Sequence, residues 1–364
     1  MKNRLFKHFK GDFFGGITAG IVALPLALAF GVTSGLGPDA GLYGAIFIGI
    51  FAALFGGTPT QISGPTAPMT AVSLLVISGI VAANDGDVSK ALPIILGVFL
   101  LAGLIQIALG FAGVGKYIRY IPYPVVSGFM TAIGVIIIIT QLLPILGYYP
   151  KEDSAYVASF KAQAEEVLLE KILKEEAGEG YLVLEDFSET QRRAAKVSQE
   201  DVLNEAKILA KDHAKSVWGT IKVLSNALKK TNPHELGIAL VTILIIFGFK
   251  KITTAIPSTL VALLLVSGIS MGFELPYRSI SAIPEGFPMP HLELFTEFKI
   301  EAIAPYLFTA LSLALLGAID SLLTSVVADN MTKTKHAPNK ELIGQGIGNS
   351  IAAIFGGIPG AGAT

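Results

Sequence analysis

The chain has 364 residues, 52% of them apolar and only 15% charged, with a mean hydropathy of +0.63. A soluble domain carries about 25% charged residues, so one soluble globular domain is excluded and a polytopic membrane protein is indicated. The net charge of −1 provides no field to recruit nucleic acid, and a chain without cysteine has no disulfide, thiolate metal site or cysteine nucleophile.

The charge is unevenly spread. More than half of the charged side chains, 13 basic and 16 acidic, fall between Lys151 and Glu235. This divides the chain into four parts. Residues 1–150 hold five membrane helices, and 151–235 form a charged helical insertion. Residues 236–300 hold two more membrane helices and a loop, and 301–364 begin a second repeat. Stretches able to cross a ~30 Å hydrocarbon core lie near 13–34, 41–56, 66–83, 91–114, 123–147, 236–249, 256–273, 303–328 and 341–357. Some are short or interrupted, as at Pro25 and at Gly64-Pro65-Thr66-Ala67-Pro68.

The basic N-terminus, MKNRLFKHFK, precedes an apolar run that reaches Ser34, which reads as a retained first membrane helix. Its Lys2, Arg4, Lys7 and Lys10 put the N-terminus in the cytoplasm. Alternation then places Lys116 and Arg119, Lys250 and Lys251, and Lys333, Lys335 and Lys340 inside. It places the acidic Asn84-Asp85-Gly86-Asp87 loop and the 151–235 insertion outside. Within the insertion, Ser198-Gln199-Glu200-Asp201 predicts a capping box that opens a helix. Val202, Ala206, Leu209, Val217, Ile221, Leu224 and Leu228 then predict one apolar stripe, with His213 on it. A helical hairpin packed on itself explains His213 better than a metal site, because no second ligand has a fitting spacing.

Residues 38–57, PDAGLYGAIFIGIFAALFGG, match 338–357, PNKELIGQGIGNSIAAIFGG, without a gap at an offset of 300, with eight identities in twenty. By the loop charges the two copies have opposite orientation. Inverted repeats with short, Gly/Pro-interrupted segments indicate a secondary transporter with a site at the bilayer midplane. The stretches Gly64-Pro65-Thr66-Ala67-Pro68 and Gly360-Ala361-Gly362-Ala363-Thr364 would each start a half-helix. Two half-helix N-termini facing each other bind a small anion without Arg or Lys.

Asp320 lies deep in the apolar run ALLGAIDSLLTSVVAD. An ionisable residue there is a functional site by default, and Thr324 stands on the same helix face one turn on. The pair supplies hard oxygen ligands for Na⁺. A proton-carrying Asp320, or one simply bonded to a neighbouring helix, are the alternatives. Gly344-Gln345-Gly346-Ile347-Gly348 resembles a dinucleotide loop only loosely, and close helix packing accounts for it better. No G-x-x-x-x-G-K-[ST] or H-E-x-x-H occurs, so neither an ATP motor nor an enzyme is expected, and no organic cofactor is needed.

The blocks GDFFGGITAGIVALPLALAFGVTSGLGPDAGLYGA, FAALFGGTPTQISGPTAPMT, AIDSLLTSVVADNMT and NKELIGQGIGNSIAAIFGGIPGAGAT resemble the sulfate permease family of anion transporters, and within it the sodium-dependent bicarbonate transporters. The resemblance implies an all-α polytopic membrane protein of the inner (plasma) membrane, built as a seven plus seven helix inverted repeat with half-helices meeting at the midplane. It implies core and gate domains that move as an elevator, and sodium-coupled bicarbonate symport. Asp320, Thr324, Gly362 and Thr364 would hold Na⁺. Thr66, Ala67 and Ala363 would bind bicarbonate through backbone N–H groups. Many relatives carry Pro-Gln where Pro25-Leu26 stands, which argues against a sulfate or dicarboxylate permease coupled to protons, the alternative function beside an uncoupled anion channel. The family's C-terminal STAS domain, through which a homodimer would form, is absent from the chain. The chain stops where a tenth helix is expected, which reads as part of a longer product.

Overall fold

The computed structural model describes residues 9–84, 86–118, 123–177, 197–253, 256–278, 286, 288–296 and 303–363. Lys2, Arg4, Lys7, Asp85, Arg119 and Thr364 lie outside the described residues. The chain divides into two compact units, one of residues 1–134 with 241–364 and one of residues 135–240.

The first unit begins with α1 (Phe9–Ser34) and α2 (Pro38–Phe55), followed by strand β1 (Ile62–Gly64). Then come α3 (Ala67–Ala83), α4 (Val88–Phe111), the short α5 (Gly115–Ile118), and α6 (Tyr123–Ile145), which runs on into the second unit. Pro25 does not break α1, since a membrane helix tolerates proline where neighbouring groups satisfy the freed carbonyl. Asp87 caps α4 by accepting from the N–H groups of Ser89 (2.9 Å) and Lys90 (3.2 Å).

The second unit holds α7 (Ser154–Ala158), α8 (Lys161–Ala177), α9 (Gln199–Lys215) and α10 (Val217–Lys229). The expected capping box opens α9. Asp201 N–H donates to Ser198 Oγ at 3.1 Å, and Ser198 N–H donates to Asp201 Oδ2 at 2.9 Å. The expected single stripe is corrected. Ser216 ends α9 and caps α10, so the helical phase restarts there. Ala206 and Ala210 are buried on α9, but on α10 the buried residues are Gly219, Thr220, Val223 and Ala227, while Ile221 and Leu228 are exposed. His213 Nδ1 lies 2.9 Å from Tyr156 Oη and packs on Phe160. Asp153 ties this unit together. It accepts from Tyr148 Oη (2.7 Å), Lys230 Nζ (2.6 Å) and the N–H groups of Ala155 and Tyr156.

Helix α11 (Pro233–Ile252) returns to the first unit. There α12 (Ser258–Gly272), α13 (Glu293–Thr296), α14 (Leu307–Thr332), α15 (Pro338–Ile354) and strand β2 (Ala361–Ala363) complete the described elements. Among the described residues, five helical stretches are long and apolar enough to cross a membrane: Phe9–Ser34, Pro38–Phe55, Val88–Phe111, Gly134–Glu152 and Ala304–Thr332. The apolar helices Ala67–Ala83 and Ser258–Gly272 are shorter.

Helix α15 is the centre of the first unit, packed along α2 and α4. The close packing expected of its glycines is present. A Cβ at Gly346 would fall 2.6 Å from Gly103 O, and one at Gly344 would collide with the backbone of Gly56. Helices α2 and α15 both begin with a proline at the first turn and no side-chain cap.

Among the described residues, the strands that depart from an all-helical fold fall at the two stretches expected to start half-helices. Strands β1 and β2 pair antiparallel, with Ile62 opposite Ala363, Ser63 opposite Gly362 and Gly64 opposite Ala361. Carried through the offset of 300, the pair of positions 62 and 363 becomes positions 362 and 63, which is the observed Ser63–Gly362 pair. The register therefore maps onto itself under the sequence repeat. Helix α3 has 17 residues and at 1.5 Å per residue is about 25 Å long, which is most of a hydrocarbon core and more than half a helix.

Candidate ion-binding site

Each expected site residue that lies among the described residues sits on one of three elements: the start of α3, the middle of α14, or β2; Thr364 lies outside them. Thr66 is the N-cap of α3, in extended conformation (φ −121°, ψ 158°). Its hydroxyl does not cap its own helix. It donates instead to Asp320 Oδ2 at 2.8 Å. The first turn of α3 is left without a side-chain cap, and its free N–H groups carry the partial positive charge of the helix end.

Asp320 is 6% exposed and sits on the buried face of α14 with Ser321 and Ser325. Thr324, one turn after Asp320, is half-buried. Gly362 N–H donates to Ser321 Oγ at 3.0 Å, which holds β2 against α14 beside Asp320. Ala363 pairs with Ile62. The structure thus brings Thr66, Asp320, Gly362 and Ala363 into one neighbourhood, and Ala67 follows Thr66 as the first residue of α3. The donor set fits a small cation, because a buried carboxylate next to hydroxyl and backbone oxygens is hard-oxygen chemistry.

A cavity of about 330 Å³ opens beside the strand pair. Gln61, Ser63, Pro65 and Ala363 form one side, and small residues of α1 and α2, Gly20 and Gly49 among them, form the other. No charged side chain lines it. Of the three expected anion residues only Ala363 lines this cavity, whereas Thr66 and Ala67 do not.

Sequence reasoning missed the polar scaffold behind the site. Glu341, Gln345 and Asn349 recur every four residues on α15 and are each 2% exposed or less. Glu341 Oε2 accepts from Gly57 N–H at 2.8 Å. Gln345 Nε2 donates to Glu341 Oε1 at 2.9 Å and to Ser63 Oγ of β1. Asn349 clamps Gly360, accepting from its N–H at 2.8 Å and donating to its carbonyl at 3.1 Å, and also donates to Gln106 Oε1 at 2.7 Å. Gln106 in turn donates to Ala314 O of α14 at 3.3 Å. The four-residue spacing of these polar groups in an otherwise apolar helix was the available signal. Of this network's members Gln345 leaves its Oε1 buried without a hydrogen-bond partner among the described residues, while the bonds that are made join α15 to the strands that precede α3 and follow α15.

Known proteins resemble the chain over most of its length. The Sulfate permease family profile matches residues 9–170 and 198–364. The chain is 39% identical over 365 residues to the Bicarbonate transporter BicA of Picosynechococcus sp. (strain ATCC 27264 / PCC 7002 / PR-6), covering 99% of this chain and 53% of that protein. It is 29% identical over 359 residues to the Putative sulfate transporter YvdB of Bacillus subtilis (strain 168), covering 98% of this chain and 54% of that protein. The chain therefore spans about half the length of the curated relatives it matches. Among solved structures, the transmembrane domain of a cyanobacterium bicarbonate transporter BicA superposes with a TM-score of 0.74 at 39% identity, over 99% of this chain and 75% of that one. SLC26A9 shares the fold alone, with a TM-score of 0.71 at 19% identity over 99% of this chain and 50% of that one. With its apolar spanning helices and a profile match over most of its length, this chain is a multi-pass membrane protein and a member of the sulfate permease family.

Proposed function

We propose that the protein is a sodium-coupled bicarbonate symporter of the inner (plasma) membrane, with a cytoplasmic N-terminus. The observation that carries this reading is the 2.8 Å bond from Thr66 Oγ1 to Asp320 Oδ2. It joins the uncapped start of α3, which attracts an anion, to a buried carboxylate, which attracts a cation. Opposite charges a few ångströms apart in a low-dielectric interior interact far more strongly than in water. Bicarbonate alone would face the Asp320 carboxylate as a like charge, whereas Na⁺ neutralises that carboxylate and so makes room for the anion beside it. Simultaneous occupancy is therefore favoured, and that is the physical basis of symport. Asp320, Thr324, Gly362 and Thr364 contribute the sodium site, and Thr66, Ala67 and Ala363 contribute backbone N–H groups to the anion.

The self-mapping strand register and the matching proline starts of α2 and α15 support an inverted repeat. In the full architecture of seven plus seven helices, the unit carrying the strands would move as an elevator against the remaining helices. The whole protein would dimerise through a C-terminal STAS domain. A second reading is proton coupling of a sulfate or dicarboxylate anion. It draws on the bond between Asp320 and the neutral Thr66 hydroxyl, an arrangement that also suits a carboxyl carrying a proton.

The deciding experiment is uptake of labelled bicarbonate, sulfate and fumarate into proteoliposomes with and without a sodium gradient, for the parent chain and Asp320→Asn. The amide still accepts from Thr66 but has no charge. Sodium-driven bicarbonate uptake should vanish in the variant while membrane insertion persists. Unchanged sodium dependence would refute the assignment of Asp320. Uptake driven by a proton gradient alone would favour the second reading, and flux that neither saturates nor needs sodium would mean a channel.

A further inference from the structure

Gln61 belongs to neither proposed ion site, yet it bonds α14 next to Asp320 and lines the cavity beside Ala363. Its side chain forms part of the cavity wall beside the strands. Its Nε2 donates to Ser321 O at 3.1 Å, on the residue that follows Asp320. Its Oε1 accepts from Ser325 Oγ at 2.7 Å, one turn further along α14. Its amide also lies against Gly362, where an added Cβ would collide with Gln61 Nε2 and Cδ. Gly362 N–H itself donates to Ser321 Oγ. Ser321 is thus held at its carbonyl by Gln61 and at its hydroxyl by β2.

This cluster contains a two-state element. Ser325 Oγ lies 2.7 Å from Gln61 Oε1 and 2.8 Å from Ser321 O. A hydroxyl has one proton, so it can donate to one of these acceptors at a time. Thr58 Oγ1, at 2.8 Å from Ser325 Oγ, can donate to that hydroxyl whichever way its own proton turns. With the Ser325 proton on Gln61, the amide is tied to α14 at both ends. With the proton on Ser321 O, the amide is tied only through Nε2 and can shift in the cavity wall. A cation that pulls on Asp320 moves the peptide of Ser321 and so biases the choice.

We propose that Gln61 is the positioning residue that couples cation occupancy at Asp320 to the shape of the cavity beside the strand pair, where Ala363 of the proposed anion site lies. The proposal rests on the sodium-symport reading above. It differs from that reading in assigning the coupling to an amide that binds neither ion. Coupling between two sites is reciprocal and requires an element whose two arrangements the ligands weigh differently, and the Gln61–Ser325 pair supplies one.

The test measures a coupling factor by equilibrium binding, independently of transport. The purified full chain in detergent is titrated with bicarbonate, at saturating sodium and in sodium-free choline buffer, with thermal unfolding as the readout. In the parent, sodium should tighten bicarbonate on the order of tenfold. Gln61→Met keeps the side-chain volume over Gly362 and removes both amide bonds. Ser325→Ala leaves Gln61 in place and removes only the switchable hydroxyl. In both variants each ion alone should still raise the unfolding midpoint, while the factor falls severalfold, to the part that direct attraction between the two charges supplies. An unchanged factor in both variants would overturn the proposal. So would loss of stabilisation by either ion alone, because the amide would then merely hold the cavity open. A parent in which sodium raises the midpoint without tightening bicarbonate would refute the coupling and this proposal together, while leaving a sodium site. A parent with no response to sodium would refute the symport reading itself.

Discussion

Asn349→Leu should be among the most damaging single changes in the membrane unit. Leucine keeps the branch and the number of side-chain heavy atoms, but its methyl groups are bulkier than the amide, so crowding against Gly360 adds to the loss of the hydrogen bonds. Three hydrogen bonds disappear: Gly360 N–H to Oδ1, and Nδ2 to Gly360 O and to Gln106 Oε1. Side-chain bonds within membranes average about 0.6 kcal/mol, so simple loss of three costs about 2 kcal/mol. The larger effect is what remains. Gly360 N–H and Gln106 Oε1 are buried without partners, at about 1–3 kcal/mol each. The expected loss is therefore about 2–6 kcal/mol, measured as the unfolding free energy in mixed micelles. Asn349→Asp is the companion variant. It keeps an acceptor for Gly360 N–H but lacks both donors and adds a charge, so it should not rescue. Because Gly360 leads into β2, bicarbonate uptake should fall in parallel with stability. A loss below about 1 kcal/mol for Asn349→Leu, or full uptake in that variant, would refute the view that this clamp sets the strand pair.

Thr66→Ser should leave the sodium half-activation of uptake near the parent value, whereas Thr66→Val should raise it about tenfold, the loss of one hydrogen bond to a charged group. Equal values for serine and valine would show that the hydroxyl bond to Asp320 is incidental. In the second unit, burial pushes the Asp153 carboxyl up, but bonds from Lys230, Tyr148 and the Tyr156 N–H outweigh it and hold it below its ordinary 3.8. The stabilisation this gives is complete above that ordinary value and is lost as pH falls through the lower folded one. Acid unfolding of the unit, followed by hydrogen exchange, should lose this component in Asp153→Asn, and an identical acid profile in the variant would count against it. Cysteines placed at Ala155 and Lys230 should react with impermeant reagents from outside and one at Lys335 should not, with the cysteine-free chain as background. The reverse pattern would invert the topology.

The sequence alone determined what depends on local composition. Runs of apolar residues identified the spanning helices because a bilayer demands about 20 residues whose backbone bonds close within the segment. Ser198-Gln199-Glu200-Asp201 marked a helix start because capping is settled within four residues. Asp320 was conspicuous because a carboxylate in an apolar run is costly. The tertiary structure decided everything that rests on a partner far along the chain. A three-residue strand has no local signature, and Ile62–Gly64 is a strand only because Ala361–Ala363 lies against it. Thr66 reads locally as an ordinary helix cap, yet its hydroxyl is claimed by Asp320, 254 residues away. Gln61 and Asn349 are single amides in their own neighbourhoods, and their roles come from acceptors on other helices. The stripe through α9 and α10 misled for the converse reason. Helical phase is local and restarts wherever a side chain such as Ser216 caps a new helix, so a regular spacing carried across that break no longer describes one face.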